Sequence, residues 1–458
     1  MRTMIEPARE IPVIDDHAVI VVGGGTAGMV AAVAAARNGA KVLLLERSGF
    51  LGGNIATQLL EHSAGWFDAG GAPIVGGLPE ELVRRLMAAG ASPGHVRDDT
   101  GYTRYRVPVN HEAFKSVVTA WVAEAGVTVR LFTPVCAVLR DTRAVSGVIV
   151  ENKSGRTAYT ARVLVDCSGD ADAAALAGCP MLSKPDDDVQ PISLLFKIGG
   201  IDYPRLLDYV AESATHFKLG VPVEQLRGEP YVNLWGFGPE LRRAFADKVL
   251  SFERNELHFA GTVSQSDAII NLTRHAANGT SAEQLAEAEI ALRRQVLEGL
   301  RFFRRYVPGC AAVFLSASAA SVGVRETRRI LGLYELTDDD IRSGRNFDDA
   351  IALGGFPMDS HDPRGSSLDA TEHVRQAYGI PYRALIPREP DGILVAGRCI
   401  SAERRALASA RITGTCMAMG QAAGTAAALA AAGNHSTRTL DITWLRATLL
   451  AQGAILRH

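Results

Sequence analysis

Three glycines and a glutamate carry the most legible chemistry in this sequence. Gly23, Gly25 and Gly28 form a G-x-G-x-x-G run within Gly23-Gly24-Gly25-Thr26-Ala27-Gly28. Glu46 follows about twenty residues later, the spacing that serves a dinucleotide. The first glycine permits a tight turn, the second lets backbone approach a pyrophosphate, and the third lets helix and strand pack closely. Thr26 and Ala27 lie in the turn that leads into the following helix, whose free N–H groups and positive dipole end would face the anion. Glu46 would accept from the hydroxyls of the adjoining ribose.

Two further groups could act on a substrate. His361 stands between acids in Pro357-Met358-Asp359-Ser360-His361-Asp362-Pro363. Neighbouring carboxylates would raise its pKa and orient the ring; the plainer alternative is a turn held by Asx hydrogen bonds. Arg325, Arg328 and Arg329 crowd around Glu326, and on a helix Arg325 and Arg329 would share one face. A planar guanidinium suits a substrate carboxylate or a pyrophosphate, with surface salt bridges as the alternative. Arg274 and Arg383 are similar candidates. These residues suggest a small polar or anionic organic substrate, and no metal site is expected from them.

The hydrophobic pattern supplies a scaffold. Residues 18–22 are apolar and β-branched, as in a buried parallel strand. An alanine-rich helix over 29–37 ends at Asn38-Gly39, and a second buried strand over 41–45 runs into Glu46. Strand, glycine turn, helix and strand make a βαβ unit. Beyond it the pattern predicts a helix over 110–126 and strands over 127–132, 135–139, 147–151 and 158–166, with Asn152-Lys153-Ser154-Gly155 as a hairpin turn. The character then changes. An isolated strand at 191–198 and a long charged helix at 282–306 precede a buried strand at 392–396 and a small-residue helix at 415–431. The expected fold class is α/β: a Rossmann-like nucleotide-binding domain with a parallel sheet, split by an inserted α+β substrate domain. The split domain takes 17–180 and 380–435, the insert 181–379, and a C-terminal tail or helix 436–458.

Composition sets limits. The 458 residues are 47% hydrophobic with a net charge of −2, giving no general attraction to nucleic acid or anionic membrane. Residues 1–16 lack the apolar run of a secretory signal, and no segment approaches the ~20 apolar residues of a membrane span. No two of the six cysteines form a CxxC pair, which argues against a disulfide framework, a zinc site or a cysteine-ligated iron–sulfur cluster. They read as buried small hydrophobes in a reducing cytoplasm. A homo-oligomer is compatible with the sequence but not specified by it.

Three longer segments identify the dinucleotide by resemblance. Glu46-Arg47-Ser48-Gly49-Phe50-Leu51-Gly52-Gly53-Asn54 looks like the acidic-to-double-glycine continuation of many flavoproteins. Leu164-Val165-Asp166-Cys167-Ser168-Gly169-Asp170 looks like their second flavin motif, and Gly392-Ile393-Leu394-Val395-Ala396-Gly397-Arg398 like the late strand beneath the flavin. The chain resembles the FAD-dependent oxidoreductase family, distantly related to fumarate reductase flavoproteins and to the flavin subunit of heterodisulfide reductase. Similar segments fall at 270–274, 323–329 and 380–385. The resemblance implies an FAD-binding domain and hydride exchange between flavin N5 and a small metabolite.

The resemblance also implies a set of cofactor contacts. Beyond the glycine turn and Glu46 these are Arg47, Gly52, Gly53 and Asn54, then Val135 at the adenine. Ser168, Gly169 and Asp170 would lie along the FAD, with Gly397 and Arg398 near the flavin or its phosphates. Thr415, Cys416 and Met417 would open a helix aimed at the flavin N1/C2 edge. From its place after the double-glycine region, His62, in Leu60-Glu61-His62-Ser63-Ala64-Gly65-Trp66, could reach the flavin face, the alternative being a structural or exposed histidine. His361, His62 and Arg325 are thus the candidates for chemistry.

With a single dinucleotide fingerprint, a separate electron acceptor or donor is expected. A flavin monooxygenase fed by an external electron source and a non-catalytic flavin-binding protein remain as alternatives. The chain lacks the cysteine clusters of the heterodisulfide reductase relatives, so no built-in iron–sulfur relay is expected. Ser401-Ala402-Glu403-Arg404-Arg405 stands where closer relatives often carry a Thr-His pair, and no substrate role is taken from it.

Overall fold

The structure, a computed structural model, describes residues 3–182, 189–363 and 368–457. Five short strands form its organising sheet: β1 (Val19–Val22), β2 (Val42–Leu45), β3 (Thr128–Arg130), β4 (Val163–Asp166) and β5 (Ile393–Val395). Every residue of β1, β2, β4 and β5 is buried, as continuous apolar runs require when a sheet is covered on both faces. The strands pair in parallel in the order β5-β4-β1-β2-β3. The chain moves from β1 to β2 and β3, then returns to the other side of β1 for β4. Strand order therefore reverses beside β1, and ligands of open α/β sheets bind at the carboxyl ends of strands at such a point.

Three helices matter for the site: α1 (Thr26–Arg37), α2 (Ala282–Tyr306) and α3 (Thr413–Gly433). α1 packs on β1, β2 and α3. Gly420 and Gly424 allow this approach, because a Cβ at either would run into the backbone of Ala27 or Ala31. The two alanine-rich segments are thus closely packed internal helices. A C-terminal helix, Ile442–Ala451, packs on α3 with Leu445 and Leu449 fully buried.

A second, antiparallel sheet has six strands, in the order Phe217–Lys218, Tyr231–Gly236, Leu257–Thr262, Asp267–Asn271, Phe196–Gly199, Phe314–Ser318. α2 shares its core through Leu292, Val296, Phe302 and Phe303. Ser281 caps α2 by accepting from the Gln284 N–H, and Arg304 and Arg305 suit the dipole at its far end.

The buried apolar side chains form two cores. One gathers 19–179 and 330–456, apart from Leu59; the other gathers Leu59 and residues from Ile192 to Val322. Residues 330–379 were expected within the insertion, yet Ile330, Leu336, Ile351, Leu353 and Tyr378 pack in the first core. Two strands also differ from expectation. The run over 158–166 divides into Gly155–Thr160, in a separate four-stranded sheet, and β4, because the chain changes sheets at Ala161-Arg162. The strand expected at 191–198 pairs continuously over Phe196–Gly199, flanked on both sides rather than isolated, while Ile192 and Ser193 make single bridges to His275 and Gly323. Among the described residues, no helix is long and apolar enough to cross a membrane.

Candidate active site

The glycine turn joins the ends of β1 and β4. Gly23 has φ +93°, and a Cβ there would stand 2.6 Å from the Cys167 carbonyl oxygen; one at Gly28 would collide with the Gly23 carbonyl. Gly25 differs, since the nearest atom to a Cβ would be Gly53 Cα at 3.7 Å. α1 begins there with no side-chain cap and no acid in its first turn, leaving Thr26 and Ala27 at an uncapped, positive helix end. The Gly52 N–H donates to Gly24 O at 2.8 Å, which brings Gly53 and Asn54 against the turn.

Glu46, at the end of β2, accepts the Gly24 N–H on one oxygen and the Ser48 N–H on the other, each at 2.7 Å. An ionised carboxylate has roughly four acceptor sites, so capacity for ribose hydroxyls remains.

The opposite side is built from β4 and β5. Asp166 accepts the Ser168 N–H at 2.9 Å and shapes the turn through Gly169 and Asp170. Asp170 is engaged on several sides: Arg398 Nη2 lies 2.7 Å from Oδ1, the Thr327 hydroxyl donates to it at 2.7 Å, and Arg47 stands 3.9 Å from Oδ2. A Cβ at Gly397, just after β5, would stand 3.5 Å from the Ala27 Cβ on α1. Val135 opens the strand Val135–Arg140 and pairs with Val150.

α3 begins uncapped, with Thr415, Cys416 and Met417 buried in its first turn. The Thr415 Oγ1 is buried without a hydrogen-bond partner among the described residues. Burial pushes the Cys416 thiol up to about 12, so its role there is packing. An open glycine turn, two uncapped helix N-termini, a buried carboxylate and an orphaned hydroxyl fit a flavin dinucleotide.

A cavity of about 250 Å³ adjoins this cradle, and Asn54 and Thr413 line it. Side chains packed with both cores line it. His62 meets His258 edge-on, with ring centroids 5.5 Å apart. Glu61 Oε1 lies 3.2 Å from His258 Nδ1. Burial alone would raise the Glu61 carboxyl, but the hydrogen bond from His258 and the charges of His258 and His62 hold it at about 2. Burial, reinforced by Arg106 and His258, pushes His62 down to about 3.

Arg325 lines the same cavity and donates to Pro191 O and Ser193 Oγ, both at 2.7 Å. Arg411 Nη2 donates to Asp359 O at 3.3 Å, and His361 Nε2 lies 3.5 Å from Asp359 Oδ2. The raised pKa expected for His361 is corrected: its pKa falls to about 3. Burial dominates, Asp359 offsets it in part, and Arg325 and Arg411 oppose a further charge.

The helix considered for the arginine cluster is also corrected, since residues 322–329 form no helix. Arg325 turns to the cavity while Arg328 reaches Asp170 O and pairs with Asp172. Arg329 donates to Ala402 O at 2.6 Å. Arg274 contacts Asp362 O, and Arg383 forms a partly exposed pair with Asp349 away from the cavity.

Sequence reasoning passed over several cavity residues: His258, Arg254, Arg411, Tyr102 and Trp235. None belongs to a local motif. Glu61 adjoins His62 and was readable only as its neighbour. Among the described residues, no group of three or more His, Cys, Asp or Glu side chains is arranged to hold a metal ion.

A profile of the family described as FAD dependent oxidoreductase matches residues 18–449. No curated protein matches the sequence. Among solved structures, a geranylgeranyl bacteriochlorophyll reductase-like protein from Thermoplasma acidophilum is 14% identical, with a TM-score of 0.47 over 97% of this chain and 85% of that one. A myxobacterial chondrochloren halogenase is 13% identical, with a TM-score of 0.46 over 96% of this chain and 78% of that one.

Proposed function

The chain belongs to the FAD-dependent oxidoreductase family, and from that premise we propose that it dehydrogenates, or in reverse reduces, a small polar or anionic organic metabolite held in the cavity beside the glycine turn. One observation carries this reading: the cavity that adjoins the cradle is lined by guanidinium and imidazole groups from both cores. As an FAD enzyme it requires a small-molecule substrate and a redox partner.

Bound FAD supplies a two-electron acceptor whose N5 takes hydride from an aligned C–H bond. The protein's part is to bind, orient and move a proton. Arg325 and Arg411 hold the anionic group of the substrate. His258, kept in register by the Glu61 carboxylate, takes up or returns the proton that accompanies hydride transfer. His62 and His361 are neutral at working pH and act through hydrogen bonds. The uncapped start of α3 and the Thr415 hydroxyl favour negative charge and an acceptor atom beside them.

The test is an anaerobic screen of small metabolites for bleaching of the flavin absorbance, followed by reoxidation with candidate acceptors. Bleaching by a polar or anionic metabolite is the expected result. Rapid bleaching by NAD(P)H, with none by any metabolite, would overturn the reading in favour of a monooxygenase.

A further inference from the structure

We propose that the substrate of this cavity is a single-ring aromatic carboxylate. The inference rests on reading the cavity as the substrate site, and it names what that site selects. Two features of its lining point there together: a continuous band of ring faces and edges, and a cluster of guanidiniums.

The band runs through five rings. Phe356 lies 5.7 Å from Tyr102, and Tyr102 lies 4.8 Å from Trp235. Trp235 is 6.0 Å from His258, which is 5.5 Å from His62. All five line the cavity.

The band is fixed in place rather than loosely packed. Asp98 accepts the Thr103 N–H at 2.9 Å and Asn233 Nδ2 at 2.8 Å, while Asp99 accepts the Asn233 N–H at 2.8 Å. These bonds tie the loop carrying Tyr102 to the strand carrying Trp235. Arg106, almost wholly buried, pairs with Asp99 and donates to Tyr231 O on that strand. A set of rings held this firmly favours a planar partner, which can take edge-to-face or offset positions without reorganising it.

The cations are Arg254, Arg325 and Arg411, with Arg274 close by. Burial and mutual repulsion lower Arg254, Arg274 and Arg325 to about 10. Guanidiniums remain charged at such values, and Arg411 Nε together with Arg274 Nε and Nη1 is buried without a hydrogen-bond partner among the described residues. Of the carboxylates lining the cavity, Glu61 is engaged by His258, Glu256 by Lys218 and Asp98 by Asn233, and Asp359, shared with His361, offsets part of the charge of the guanidiniums. A carboxylate entering between them would relieve the repulsion and accept their planar forks.

Size completes the assignment. A cavity of about 250 Å³ falls below the ~300 Å³ at which drug-sized pockets begin. It has room for one ring with its acidic substituent.

The experiment titrates the FAD-loaded protein at neutral pH with benzoate, trans-cinnamate, cyclohexanecarboxylate, benzamide and succinate, following the flavin difference spectrum. Benzoate or cinnamate should bind about tenfold more tightly than cyclohexanecarboxylate, which lacks the ring electrons, and than benzamide, which lacks the charge. Trp235→Leu should bring the benzoate-to-cyclohexanecarboxylate ratio towards one, and Trp235→Phe should preserve it, both with full flavin content.

Equal binding of benzoate and cyclohexanecarboxylate would overturn the aromatic assignment. So would a ratio unmoved by Trp235→Leu. If succinate binds most tightly and also bleaches the flavin, the aromatic class falls while the proposed oxidoreductase reading stands. If no carboxylate perturbs the flavin and only neutral compounds bleach it, the aromatic class falls together with the anionic part of that reading.

Discussion

Glu61 Oε1 stands 3.2 Å from His258 Nδ1 across 197 residues of sequence. Glu61 immediately precedes the strand His62–Ser63, and His258 lies on Leu257–Thr262 of the antiparallel sheet. The contact therefore joins a carboxylate beside the cradle to an imidazole of the antiparallel sheet. A carboxylate on one ring nitrogen fixes the tautomer and leaves the other nitrogen to exchange a proton.

Glu61→Gln should keep the flavin and lower kcat about tenfold or more, with little change in KM. His258→Gln should cost about 100-fold. Steady-state kinetics with the substrate from the anaerobic screen provide the check; an unchanged kcat in both variants would remove the pair from the chemistry.

The glycine turn makes a contrasting pair of predictions. Gly25 has φ −72°, so a side chain is conformationally acceptable there, and its Cβ would make only an ordinary contact with Gly53 Cα at 3.7 Å. Gly25→Val should fold normally by circular dichroism yet purify almost free of flavin. Gly28→Val should fail to fold, because its side chain meets the Gly23 carbonyl. Glu46→Gln should weaken FAD by about tenfold or more, as expected for losing hydrogen bonds to a charged acceptor.

Arg325→Met should raise KM for an anionic substrate about 100-fold with kcat less affected, since it removes binding shared by ground and transition states. Flavin content and melting temperature serve as controls, because Arg325 also holds Pro191 O and Ser193 Oγ. His361→Ala should retain FAD and lose activity. Full turnover in that variant would exclude His361 from the reaction.

Acid should destabilise the protein below about pH 6.5. His62 and His361 protonate in the folded state only near pH 3, against an ordinary value of 6.5. Between these limits the unfolded chain binds protons that the folded chain refuses. Stability is complete above pH 6.5 and declines by up to about 1.4 kcal/mol per pH unit for each histidine as pH falls. Glu61, at about 2 against an ordinary 4.5, adds a loss of the same sign between those lower values. Urea denaturation of the holoenzyme at neutral pH and at about pH 5 measures the slope, which His361→Gln should reduce.

The nucleotide-binding half was legible because its signals are local. Gly23 to Gly28, the alanine run of α1 and the acid after β2 each announce themselves within a few residues. α2 was equally plain, its apolar stripe repeating over 25 residues. What escaped depends on distant partners. The acids flanking His361 are visible in the sequence, but the approach of Arg325 and Arg411 is not, and with burial they reverse the sign of its pKa shift. Arg325 and Arg329 have helical spacing, yet residues around them bridge extended to Ser193 and Met181. His258 and Trp235 lie in a strand pattern that gives no hint of the cavity they face.

The late position of β5 and α3 governs how the protein can be made. A nascent chain halted before Ile393 would present the bare outer edge of β4 and the uncovered alanine face of α1, surfaces that invite aggregation. The glycine turn is synthesised before β5 and α3 and stays without these neighbours until both have followed. Cofactor capture is thereby postponed until α3 has been made, and chains cut short before it should be insoluble rather than partly active.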